Sequence, residues 1–133
     1  MTDTPLPIHR DFEREEFEVR CEIPETIRSD LMQIGGIPGL KTLLPSAGRI
    51  EELSSTHHAL SDPVRVMILY LLSVQPLCVC VIRECIGISG SKLSYHLNIM
   101  KENGLIISEQ QGNWIIYRLT DKGKVFAEEL ARM

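Results

Sequence analysis

Two cysteines one residue apart, in Cys78-Val79-Cys80, are the side chains best suited to hold a soft ion or exchange electrons. What they can do depends on the backbone that carries them. Residues two apart point to different sides of a regular helix but to the same side of an extended segment. Pro76 ends the preceding element, so Cys78 precedes or opens the next helix, and there the two thiols can converge. A helix N-terminus also lowers a thiol's pKa toward thiolate. Zn(II), Cd(II), Pb(II) or As(III) would suit such a pair, yet two ligands do not complete a site for any of them. Cys85 lies on the same helix face as Cys78 but about two turns, roughly 10 Å, away. That is too far to share an ion, and it reads as a small core residue. Thiol oxidation and plain burial are the competing uses of the pair.

A second group follows at Ser89, Ser91, Lys92, Ser94, Tyr95, His96 and Asn98. Ser91, Ser94 or Tyr95, and Asn98 fall about one turn apart on one helix face, with Lys92 and His96 beside them. Hydroxyl and amide groups can meet base edges, and Lys92 with nearby hydroxyls can meet phosphate. The bland reading of the same residues is a solvated helix face. His57 and His58 are adjacent and cannot easily face one ion; His57 shares an apolar stripe and reads as a core histidine. Arg65 is as well placed to bridge elements as to touch phosphate. No P-loop, GxGxxG, GxSxG or HExxH pattern occurs, so an enzyme is not expected.

These groups need elements to position them. Ser46 can cap a helix carrying Ile50, Leu53, His57 and Leu60 at 3.6-residue spacing. Asp62 as N-cap and Pro63 at the first helical position open the next helix, whose stripe is Leu60, Val64, Met67, Ile68, Leu71 and Leu72. A third helix is predicted from Val79 to Ile86, closed by Gly87. A fourth, capped by Ser89, runs to Asn103 with Leu93, Leu97 and Met100 inward and Gly104 as its stop. Two short helices joined through a glycine form a helix-turn-helix. The period then changes to two: Leu105 to Glu109, a turn at Gln110-Gln111-Gly112-Asn113, and Trp114 to Thr120 predict a β-hairpin whose Ile115, Tyr117 and Leu119 share a face. A last helix, Asp121 to Met133, presents Val125, Phe126, Glu129 and Leu130. The fold class expected is mainly α with a β-hairpin wing, a winged helix-turn-helix over residues 46–133. Residues 1–45, punctuated by prolines and Gly35-Gly36, are expected as an arm. It would hold one short strand through Phe17, Val19, Cys21 and Ile23, and helical spacing at Ile27, Leu31 and Ile34.

Composition sets the class. At 133 residues, with 44% hydrophobic and 24% charged residues, the chain has an ordinary globular balance. The start has no signal-peptide pattern and no apolar run approaches the ~18 residues of a membrane span, so a soluble cytoplasmic protein without membrane contact is expected. Four cysteines are too few for a disulfide scaffold. The formal charge of −4, taken as a sum, argues against nucleic acid, but its distribution does not. Residues 1–30 carry nine acids and four Lys/Arg, while residues 83–124 carry six Lys/Arg (among them Arg83, Lys92 and Arg118) against four acids.

The chain resembles the ArsR/SmtB family of metal- and metalloid-responsive winged-helix repressors. The matching stretches are Leu60–Arg65 (LSDPVR), Leu77–Cys80 (LCVC), Ile88–Leu97 (ISGSKLSYHL), Glu102–Ile106 (ENGLI) and Gly112–Leu119 (GNWIIYRL). The resemblance implies a homodimer on double-stranded operator DNA, held by its first and last helices and released when Cys78 and Cys80 take up a metal ion or arsenite. It also implies Cys21 as a candidate third ligand from the arm, against burial on the apolar face of its strand. Three departures stand out. Pro76 and Val81 replace the Glu and Asp that flank the family's cysteine box. Gln110, Gln111 and Asn113 replace arginine at the wing tip, where Gln111 and Asn113 would meet DNA weakly. No histidine follows residue 121, so a site between the last helices is not expected. Thiol-redox or other ligand sensing on the same DNA-binding scaffold, and a winged-helix protein-interaction module favoured by the acidic arm, remain the alternatives.

Overall fold

The computed structural model describes residues 22–133, and the chain divides into two compact units that part between Glu52 and Leu53. In the first, Pro24 opens α1 (Glu25–Gln33), where Glu25 complements the positive end of the helix dipole. Gly35 and Gly36, both at positive φ, turn the chain into α2 (Gly36–Lys41). Both helices are brief, as the density of prolines and glycines requires. Residues 17–21 of the expected strand, Cys21 included, lie outside the described residues, and Glu22 and Ile23 form no strand.

α3 (Ala47–Ala59) begins where expected, with Ser46 Oγ accepting from the Arg49 N–H at 3.2 Å. Its inward residues in the second unit are Thr56 and Ala59, not His57. His57 is exposed: its ring meets Phe126 edge-on at 5.6 Å and its Nδ1 lies 2.7 Å from the Leu53 carbonyl. Ile50 is exposed as well. Leu53 and Leu60 of the predicted stripe are half-buried, with Leu60 packed against the core, while Thr56 and Ala59 take the fully buried positions in place of His57.

α4 (Pro63–Val74) is capped by Asp62, whose carboxylate accepts from the Val64 N–H at 2.8 Å, with Pro63 at its first position. Arg65, Ile68, Leu69 and Leu72 are buried, while Met67 is exposed. Leu69 takes the core position that spacing assigns to Met67. A two-residue strand that no sequence pattern announces, β1 (Leu77–Cys78), leads into α5 (Val79–Ile86), which ends at Gly87 with φ +78°. α6 (Gly90–Glu102) follows after Ile88 and its N-cap Ser89, burying Leu93, Leu97 and Met100 as expected. β2 (Ile106–Gln111) and β3 (Trp114–Leu119) form the hairpin around Gly112, and Thr120 caps α7 (Asp121–Arg132).

The three strands form an antiparallel sheet in the order β1-β3-β2. Leu77 pairs with Tyr117 and Cys78 with Ile116, while Gln111 pairs with Trp114 and so belongs to the strand, not the turn. Tyr117 and Leu119 face the core, but Ile115, further along the same strand face toward the turn, is exposed. Ile68, Leu69, Ile82, Leu93, Leu97, Met100, Leu105 and Ile106 make the centre of the core. Fully burying such a side chain contributes roughly 1.5–3 kcal/mol. Cys85 is exposed rather than core, because the stripe that packs inward is Val79, Ile82 and Ile86, and Cys85 falls to one side of it. On α7 the buried positions are Gly123 and Ala127, with Phe126 and Leu130 half-buried and Val125 exposed. The second unit is a winged helix-turn-helix: α5 and α6 are the paired helices, β2 and β3 the wing. No helix among the described residues is long and apolar enough to cross a membrane.

Candidate nucleic-acid interface and thiol site

α6 owes its position to its two faces. Leu93, Leu97 and Met100 fix it to the core, which turns Ser91, Lys92, Ser94, Tyr95 and Asn98 outward; all five are exposed. Tyr95 keeps 60% of its surface while its ring meets His96 edge-on at 5.3 Å. Ser89 is already committed, its Oγ accepting from the Lys92 N–H at 3.2 Å and lying 3.3 Å from Ser91 Oγ. His96 is turned inward: only 12% of its side chain is exposed, and its Nδ1 lies 2.9 Å from Arg65 Nη1 and 3.9 Å from Asp62 Oδ1.

Arg83 belongs to the basic segment of the sequence, yet nothing in its spacing assigns it to a site. A Cβ built on Gly90 would lie 3.7 Å from its Nη1, so the guanidinium stands beside the first turn of α6. A helix N-terminus with a cation beside it is an arrangement suited to phosphate. Spacing cannot find it, since Arg83 and Gly90 meet only after the Gly87 turn.

The wing is electrostatically quiet. Arg118 Nη2 lies 2.8 Å from Glu109 Oε2, and the Gln111 Nε2 donates to the same oxygen at 2.8 Å. These two contacts, the Gln111 amide first, hold the Glu109 carboxyl below its ordinary value. Gln110 Nε2 donates to the Gly112 carbonyl at 2.9 Å, and Asn113 is exposed at the tip. One of the two expected wing contacts, Gln111, is thus spent inside the wing.

Cys78 and Cys80 do converge. Cys78 has extended backbone (φ −80°, ψ 159°) and is the N-cap of α5, and the two Sγ atoms lie 3.0 Å apart. The Cys80 thiol hydrogen-bonded to it, assisted by the Val81 N–H, holds the Cys78 thiol below its ordinary pKa. The same hydrogen bond, with desolvation, pushes Cys80 up. Of the pair, Cys78 is therefore the thiol that ionises more readily, with Cys80 as its hydrogen-bond partner. No group of three or more His, Cys, Asp or Glu side chains able to hold a metal ion occurs among the described residues. Two soft donors fit a thiophilic ion, and any third must come from elsewhere.

The family profile described as "Bacterial regulatory protein, arsR family" matches residues 62–108, from the cap of α4 into β2. The chain is 40% identical over 75 residues to the arsenical resistance operon repressor of Bacillus subtilis (strain 168), covering 54% of this chain and 71% of that one. Among solved structures it resembles the transcriptional repressor BigR from Xylella fastidiosa (TM-score 0.58, 29% identity, 64% of this chain and 88% of that one). It also shares its fold with the homodimeric winged helix-turn-helix DNA-binding domain of Mb0332 from Mycobacterium bovis (TM-score 0.59, 22% identity, 64% and 80% covered).

Proposed function

This chain belongs to the arsR family of bacterial regulatory proteins, and from that premise we propose that it is a homodimeric repressor which binds operator DNA and releases it when Cys78 and Cys80 capture a soft metal ion or arsenite. The observation that carries the sensing half is the convergence of two thiols 3.0 Å apart, Cys78 on a strand paired with the wing and Cys80 in the first turn of α5. Residues 46–133 are the DNA-binding domain in this reading, and residues 1–45 an arm that brings Cys21 as the third thiolate. Ser91, Ser94, Tyr95 and Asn98 read base edges in the major groove. Lys92 and Arg83 seat phosphates, with Asn113 at the margin.

Dimerisation follows from how few cations each protomer offers, since a two-fold dimer doubles the contacts on a palindrome. Arsenical resistance in the Bacillus subtilis relative and homodimerisation in Mb0332 support the reading without fixing the ion. Release requires that the ion bind the two conformations of the dimer with different affinity. Cys78 and Cys80 would hold the ion as two soft donors, and the chain's part is to keep them ready at the start of α5.

Fluorescence anisotropy on the chain's own upstream DNA tests this, with Zn(II), Cd(II) and arsenite added under reducing conditions. Release by one of them, abolished in Cys78→Ser, is the expected result. If Cys78→Ser binds and is still released by the metal, the sensing half is wrong. A second reading is favoured by the same short Sγ–Sγ distance: oxidation of the pair by a peroxide-class oxidant. Oxidant alone, with metals chelated, separates the two. Failure to retain any DNA at low salt would instead favour a protein-interaction module.

A further inference from the structure

Arg65 and Thr56 are the buried polar side chains among the described residues, and Arg65 carries a permanent charge with 7% of its surface exposed. A guanidinium only donates. Its Nε donates to the Ala59 carbonyl at the end of α3, and its Nη1 donates to His96 Nδ1 at 2.9 Å on α6. His96 must then offer a lone pair at Nδ1 and carry its proton on Nε2. One side chain near the start of α4 thereby ties down both α3 and the helix that displays Tyr95 and Asn98.

We infer that Arg65 and His96 form a clamp that sets the orientation of α6 on DNA, and that the clamp closes only while His96 is uncharged. The inference rests on the DNA-binding reading above. Base readout tolerates only about 0.5 Å of misplacement in the groups that perform it, and the clamp lies one residue from Tyr95 and two from Asn98. The groups facing the His96 ring are Arg65 and Asp62 from α4 and the Tyr95 ring, edge-on with centroids 5.3 Å apart. A second proton turns Nδ1 into a donor aimed at a donor, so the hydrogen bond with Arg65 opens. Asp62 Oδ1, at 3.9 Å, is the carboxylate toward which the imidazolium would turn, although that oxygen already accepts from the Val64 N–H. Arg65 is left with a buried donor unmatched, which is costly.

The added charge also strengthens unspecific attraction to phosphate, so the informative quantity is the preference for operator over scrambled DNA. Acid weakens this preference and alkali restores it. The test uses the full chain in anisotropy titrations on both duplexes, from about pH 5.5 to about pH 8 at fixed ionic strength. Wild type should lose roughly tenfold of its preference per protomer, about a hundredfold for the dimer, at the acid end, from one charge-assisted hydrogen bond opened in each protomer. His96→Asn places a non-titrating acceptor where Nδ1 stands; it should keep the preference and flatten the profile. Arg65→Lys should lose preference at every pH while thermal melting shows it folded. Nitrogen NMR on the free chain should find the His96 proton on Nε2. A proton on Nδ1, a flat wild-type profile, or an unchanged profile in His96→Asn overturns the clamp and leaves the DNA reading standing. No preference at any pH overturns both.

Discussion

Cys78 and Cys80 are the same amino acid in neighbouring positions, and the fold makes them different. Cys78 sits before the first turn of α5 and receives the Cys80 thiol as a donor, so it ionises first; Cys80 then ionises beside an existing negative charge. The two protons belong to a coupled pair and should leave in two separated steps. As pH rises, iodoacetamide should modify Cys78 with a midpoint below that of a free thiol, about 8.5, and Cys80 only above it. Peptide mass spectrometry assigns the order. Cys80→Ala should move the Cys78 midpoint up, and an unmoved midpoint would show that the hydrogen bond is not the cause. The wing offers a second test at this scale. Glu109 pairs with Arg118 at 2.8 Å on the wing. Glu109→Gln should free that cation and tighten DNA binding several-fold at low salt, with the gain fading as salt rises; equal affinity across the salt range would mean the wing stays clear of the duplex. Residue types and spacing reveal the thiol pair and the polar helix face. They do not reveal that His96 points inward or that Arg83 stands by Gly90, because both depend on partners from another helix.

The elements are legible in the sequence wherever a cap or a glycine marks them. Asp62-Pro63, Ser89 and Gly87 place the starts of α4 and α6 and the end of α5 without error, since each satisfies a backbone group that nothing else can. The inward faces of α3, α4 and α7 are less legible. There the buried stripe is turned by roughly a quarter turn from the one spacing predicts, so that Thr56, Leu69 and Ala127 are buried while His57, Met67 and Val125 are exposed, and only the neighbouring element decides. β1 is invisible because two residues have no periodicity. Yet β1 joins the thiol site to the wing: Cys78 pairs with Ile116 on β3, two residues from Trp114. Trp114 is the only tryptophan in the chain and is 58% exposed. Capture of both thiols by phenylarsine oxide should therefore shift its emission, and Cys78→Ser should abolish the shift; emission that ignores the reagent would cut the link between site and wing. Gly123 tests the packing of α7 on the hairpin. A Cβ there would collide with the backbone carbonyl of Leu105, which cannot swing aside. Gly123→Ala should cost at least about 2 kcal/mol in urea unfolding, whereas Gly48→Ala, with open space around it, should cost nothing measurable.

For the whole molecule, the net charge of −4 is a poor guide to its partner, because residues 1–30 hold half of the eighteen acids. In the proposed complex the DNA would meet a local surface with Lys92 on α6, Arg83 beside its first turn, and Arg118 paired with Glu109. So few cations per protomer imply shallow salt dependence for a monomer and about twice that for a dimer. Each phosphate neutralised contributes about −0.9 to the slope of log K against log salt. If Arg83 seats one phosphate in each protomer, Arg83→Ala should reduce the slope of the operator complex by about 1.8. A reduction of about 0.9 would mean that a single protomer engages the duplex, and no reduction would remove Arg83 from the interface. Asn98→Ala provides the contrast: an amide that reads a base edge should lower affinity for the operator alone, by roughly tenfold for each base edge left unread, with the slope unchanged. The two substitutions together separate the charge that brings the protein to DNA from the face of α6 that recognises it, and they count the protomers at the same time.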